Sequence, residues 1–84
     1  MRTPPLSRDL TALMEVRQWA ASGHALRIRE QSGTSQAEWA TVVGTTVPTI
    51  SRWERGLRVP RGEAALRYHA LLKSLKKQLK ESAA

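Results

Sequence analysis

The chain has 84 residues, enough for one domain near the lower limit of what a single core stabilises unaided. It contains no cysteine, and its two histidines, His24 and His69, have no ligand spacing around them, which excludes disulfides, thiolate metal sites and a histidine metal centre. The formal net charge is +7, placed unevenly: residues 1–44 carry five arginines against four carboxylates, residues 45–84 nine lysines and arginines against three. Such an excess asks for a polyanionic partner.

Residues 1–6 read as a disordered start, because Pro4-Pro5 favours an extended backbone. Ser7 is placed to cap a helix over 7–21, with Asp9 in its first turn, where negative charge suits the helix dipole. Leu10, Leu13, Met14, Ala20 and Ala21 recur at helical spacing, with the stem of Arg17 beside them. Ser22-Gly23 interrupts the pattern, and Ser22 is placed to cap a helix from about His24 to Ser32, stopped by Gly33. A glycine costs about 1 kcal/mol in mid-helix, so two helices and one bent rod both fit. Ala25, Leu26 and Ile28 face the core, and Arg29 follows one turn after Ala25.

The stretch from Ser35 to Gly56 is the most constrained. Ser35 and Glu38 form a capping box, in which N-cap and N3 satisfy each other's backbone donors. Trp39, Ala40 and Val43 make one apolar face. Gly44 ends that helix, since glycine adopts the left-handed conformation cheaply. Thr46 caps the next helix, and Pro48 falls in its first turn, where a missing N–H costs little. Ile50 and Trp53 point inward. Two short helices, 36–43 and 47–55, joined by a tight turn are expected.

Residues 56–62 read as a loop with Leu57 or Val59 tucked back as its anchor. From Glu63 to about Lys80 a long helix carries Ala65, Tyr68, Leu72, Leu75 and Leu79 in heptad-like steps, with Leu71 beside them. Leu72 to Leu79 exceed what a minimal core needs. Lys73, Lys76, Lys77 and Lys80 read as a solvated face, the histidines as ordinary polar helix residues, and Trp19 as a core or interface aromatic.

Residues Ser35-Gln36, Trp39-Ala40, Gly44 and Thr49 to Gly56 resemble the lambda Cro/CI (XRE-type) helix-turn-helix family. The likeness covers about 24–72, leaving an extra N-terminal helix, 7–21, and a basic C-terminal helix and tail, 73–84. Trp39 stands where the family usually has leucine, and Pro48 where many relatives have a polar residue. The resemblance implies an all-α, compact bundle of about five helices with a central helix-turn-helix, forming one domain over 1–84. It also implies an ion pair between Arg29 and Glu54 behind the second helix of the motif.

The second helix of such a motif enters the DNA major groove. That places Thr46, Val47, Pro48, Ser51 and Arg52 toward bases. Arg52 presents a fork that fits guanine, whereas Val47 and Pro48 read shape and thymine methyls. Gln36, Thr49, Arg55, Arg58 and Arg61 are expected on phosphates, Gln36 because the family uses it so and because a helix N-terminus favours an anion.

No catalytic constellation, cofactor motif or membrane span is present in the sequence, and no signal peptide opens it. The expectation is a cytoplasmic double-stranded-DNA-binding regulator, in a bacterium or a phage-infected host, and not an enzyme. A Cro-like repressor fits most closely, as a homodimer (formed in solution or only on DNA) over an inverted repeat. The alternative is an antitoxin-type regulator that also binds a toxin protein. A module that keeps the fold without reading DNA has no need of Arg52, Arg55, Arg58 and Arg61 together.

Overall fold

Five helices form wherever a cap or a left-handed glycine sets a boundary. In the computed structural model, which describes residues 6–83 (side chains of 8–82), they are α1 Leu6–Ser22, α2 His24–Gln31, α3 Gln36–Val43, α4 Val47–Glu54 and α5 Gly62–Ala83. The expected disordered start lies outside the described residues except for Leu6, which is helical. Ser7, expected as the cap, lies inside the first turn of α1, and its side chain is outside what the structure describes.

α1 and α2 are separate helices. Gly23 takes the left-handed conformation at φ 84, and the Ser22 hydroxyl bridges the break. It donates to the Trp19 carbonyl at 3.3 Å and accepts from the His24 N–H at 3.4 Å.

The core gathers Val16, Ala25, Ile28, Trp39, Ala40, Val43, Ile50, Trp53, Ala65, Tyr68 and Leu72. α1 contributes Val16 and Ala20, with Leu13 and Trp19 packed at the edge. The face read from its sequence is displaced: Leu10 and Met14 are 50% and 61% exposed, and Ala21 is exposed too. Two overlapping apolar stripes run along this helix, and docking against α2 and α5 selects the Leu13–Val16–Ala20 one. The surplus leucines are also reassigned. Leu75 and Leu79 pack against the protein's own core, Leu79 beside His24 and Ile28 of α2.

The loop anchor differs from expectation as well. Leu57 and Val59 are 67% and 51% exposed, while Pro60 is fully buried. Proline has no N–H to satisfy, so its ring enters the core without stranding a donor.

α1 is fastened to α5 by a polar and aromatic seam. His69 Nε2 and Glu15 Oε1 lie 2.7 Å apart, and the hydrogen bond to His69 holds the Glu15 carboxyl below its ordinary pKa. Trp19 stacks on the His69 ring at 5.3 Å, meets the His24 ring edge-on at 5.8 Å, and carries Lys76 Nζ 5.1 Å above its face. The histidines are thus packing partners of Trp19 rather than solvated polar residues. Burial, with Lys76 and Arg27 nearby, lowers the pKa of His24.

Tyr68 packs against Trp39 edge-on at 5.8 Å and against Trp53 at 4.8 Å. Its hydroxyl is buried without a hydrogen-bond partner among the described residues, and burial pushes the phenol pKa up. An unsatisfied buried hydroxyl costs about 1–3 kcal/mol. Tyr68→Phe removes that cost at nearly constant shape and is expected to raise the thermal midpoint by several degrees. A lower midpoint in a calorimetric scan would show that the hydroxyl is engaged in solution. No helix among the described residues is long and apolar enough to cross a membrane.

Candidate nucleic-acid interface

The motif is built by local capping. The Ser35 hydroxyl accepts from the Glu38 N–H at 3.1 Å, and the Glu38 carboxylate accepts from the Ser35 N–H at 2.8 Å. α3 ends at Gly44, φ 81, whose N–H and that of Thr45 both reach the Ala40 carbonyl at 2.9 Å. Thr46 caps α4 by accepting from the Thr49 N–H at 3.3 Å, with Pro48 in the first turn.

The capping box carries a pH signature. Hydrogen bonds from Ser35 hold the exposed Glu38 carboxyl below its usual pKa. A carboxyl depressed in the folded state stabilises fully above its unfolded pKa, about 4.3, and that contribution disappears as pH falls through the folded value. Glu38→Ala, which removes the carboxylate that accepts from the Ser35 N–H, is expected to lower the thermal midpoint at neutral pH, with a smaller deficit below about pH 4. Melting curves across that range check it, and a pH-independent deficit would contradict it.

Behind α4 lies a polar cluster. Glu54 is only 5% exposed. Arg29 grips it with both edges of its fork, Nε on Oε2 and Nη2 on Oε1 at 3.1 Å. The bond to Glu54 raises the pKa of Arg29. Arg29 Nη1 also donates to the Thr34 carbonyl at 2.8 Å, and Trp39 Nε1 to the Thr34 hydroxyl at 2.6 Å. Helices α2, α3 and α4 are thereby locked in one register. Gln36 joins the cluster: its amide donates to Glu54 Oε1 at 2.8 Å. Gln36, expected on a phosphate, bonds to the ion pair in this structure.

α4 divides cleanly into two faces. Ile50, Trp53 and Glu54 are buried; Thr46, Val47, Pro48, Arg52 and Arg55 are exposed, and Thr49 and Ser51 are half-buried. Arg55 is the C-cap rather than the last helical residue. The Thr46 and Thr49 hydroxyls lie 3.0 Å apart and occupy each other. Arg52, Arg55, Arg58 and Arg61 are exposed, and among the described residues none has an ion-pair partner. Arg58 and Arg61 line a cleft of about 390 Å³ along one flank of α4, with Thr45, Thr49 and the edge of Trp53. Thr45 was not singled out by its sequence position; its place in the turn gave no signal of the cleft.

The helix-turn-helix family HTH_3 matches residues 26–79. The chain belongs to this Cro/CI-like family. No curated protein and no solved structure matches it. HTH_3 is a family of DNA-binding regulators of transcription, and the chain is a DNA-binding regulator of this type. The matched stretch begins within α2, so the HTH_3 pattern covers the motif and most of α5 but leaves out α1.

Proposed function

We propose that the protein is a Cro-like repressor that occupies an inverted-repeat operator. Residues 47–55 enter the major groove, and bound protein blocks polymerase. The observation that carries this reading is the outward face of α4, where Pro48, Arg52 and Arg55 stand exposed with Arg58 and Arg61 beside them and, among the described residues, no ion-pair partner for any of the four guanidinium groups. Arg52 reads a guanine, Val47 and Pro48 contact thymine methyls, and Thr46 and Ser51 discriminate weakly. Gln36, Thr49, Arg55, Arg58 and Arg61 flank the helix on phosphates, which fixes register rather than sequence. For Gln36 this requires the amide to leave Glu54 or to share it.

Two protomers bind one site. With Leu75 and Leu79 packed inside the protomer, the reason for a dimer is the small footprint of one motif and not a free leucine stripe. Two-fold pairing sets recognition helices about 34–36 Å apart along the DNA. Selection from a random DNA pool is expected to return an inverted repeat with that spacing, and sedimentation two protomers per duplex. A single protomer per selected site would refute the dimer.

The antitoxin-type reading is favoured by one feature, the exposed Leu10 and Met14 on α1, outside the matched stretch. It predicts a stable complex with the product of a neighbouring gene, lost on Met14→Asp. DNA binding would stay unchanged.

A further inference from the structure

α1 lies outside the stretch matched by the family, yet it reaches the loop that carries the flanking arginines. Arg17 Nε donates to the carbonyl of Pro60 at 2.9 Å, across 43 residues of chain. That loop lies between two left-handed glycines, Gly56 at φ 71 and Gly62 at φ 72. Its first residues are held by helix-end bonds, Gly56 N–H to the Trp53 carbonyl at 3.1 Å and Leu57 N–H to the Arg52 carbonyl at 2.8 Å. Beyond these, Arg58, Val59 and Pro60 make no backbone–backbone hydrogen bond among the described residues. Two anchors remain, and both act on one residue: the buried Pro60 ring and the Arg17 bond to its carbonyl.

The two anchors do different things. Ring burial fixes where the loop meets the core but leaves the peptide plane after it free to turn. The bond to the carbonyl fixes that plane, and with it the direction in which Arg61 leaves the backbone, while Arg58 sits two residues back on the same pinned loop. A loop already ordered before association loses less freedom on binding.

The geometry points to Arg17 as a positioning residue for DNA binding: from α1 it clamps the Pro60 carbonyl and holds Arg58 and Arg61 in the arrangement that meets phosphates. This rests on the DNA-binding role of the loop proposed above. α1 thereby becomes part of the DNA-binding machinery without touching DNA.

The test compares Arg17→Met, which keeps an apolar stem and removes the donor, with Arg27→Met. The latter removes the same charge from an exposed site on α2. Near 0.1 M salt, loss of about one phosphate contact weakens binding roughly eightfold and makes the slope of log K against log salt shallower by about one. Arg17→Met is expected to do both, on selected and random DNA alike, while the base preference at the Arg52 position stays intact. Arg27→Met is expected to bind within about twofold of the parent, because distant surface charge is screened. Arg17→Lys, which retains charge and a donor, recovers part of the loss.

The clamp is also read without DNA. Amide order parameters of Arg58, Val59 and Arg61 are expected near the rigid value of about 0.85 in the parent and toward 0.6 in Arg17→Met. If the parent protein binds no DNA while the order parameters still respond, the DNA role of the loop is wrong although the clamp exists. If DNA binds, and Arg17→Met matches Arg27→Met in affinity, salt slope and order parameters, the clamp itself is refuted. Should Arg17→Met melt below the assay temperature, the same three readouts are taken at a lower temperature where it is folded, with a salt slope and order parameters equal to those of Arg27→Met overturning the proposal.

Discussion

Replacing Arg29 by alanine is expected to destabilise the fold by about 3–5 kcal/mol, because it leaves a buried carboxylate with its counter-charge removed. Glu54 has a side chain only 2% exposed, and the Arg29 side chain covering it is 14% exposed. Gln36 offers only one neutral hydrogen bond in its place. Small domains have total stabilities of about 5–15 kcal/mol, so the single variant approaches the unfolding threshold at physiological temperature. Arg29→Ala also frees the Thr34 carbonyl, and with it the segment that seats Trp39. The double replacement Arg29→Met, Glu54→Leu is expected to recover most of the loss, since exchanging both partners for apolar groups of similar volume strands no charge. Urea melts of the three proteins check this. A single variant within about 1 kcal/mol of the parent would place the pair in the weak class of exposed ion pairs.

Arg52→Ala is expected to leave the fold intact and to erase base preference at one position of each half-site. The side chain is exposed and unpaired among the described residues, so thermal stability should not move. A bidentate contact to guanine is worth about 1–3 kcal/mol against a wrong base, roughly a five- to 150-fold loss of discrimination. Arg52→Lys should not restore it, because an ammonium lacks the fork. Single alanine replacements of Arg58 or Arg61 should differ in kind, weakening binding to all sequences and reducing the salt slope by about one. Affinities measured on the selected site and on single-base variants separate these outcomes. Uniform weakening by Arg52→Ala would assign Arg52 to phosphate and move base reading elsewhere on α4.

The motif was legible because its boundaries are set by residues close in sequence. Ser35 with Glu38, Gly44, and Thr46 with Pro48 each place a helix end within one turn of themselves, and α3 runs from Gln36 to Val43 between them. What stayed hidden depends on partners far along the chain. The apolar face of α1 could not be chosen from its own pattern, since Leu10 and Met14 fit a helical stripe as well as Val16 and Ala20 do. Pro60 reads as a loop breaker, and only the pocket formed by the assembled bundle reveals it as the anchor. Arg17 bonding to a carbonyl 43 residues away leaves no local trace. Gln36 shows the same limit: nothing in its position at the α3 N-terminus discloses its bond to Glu54, eighteen residues on.

Whether α4 reads sequence is decided most directly by the affinity for a selected inverted repeat relative to the unselected pool at physiological salt. Specific recognition predicts a ratio of at least about a thousandfold, with the excess lost on Arg52→Ala. Equal affinity for both, vanishing as salt rises, would mean that the arginines attract phosphates and nothing more.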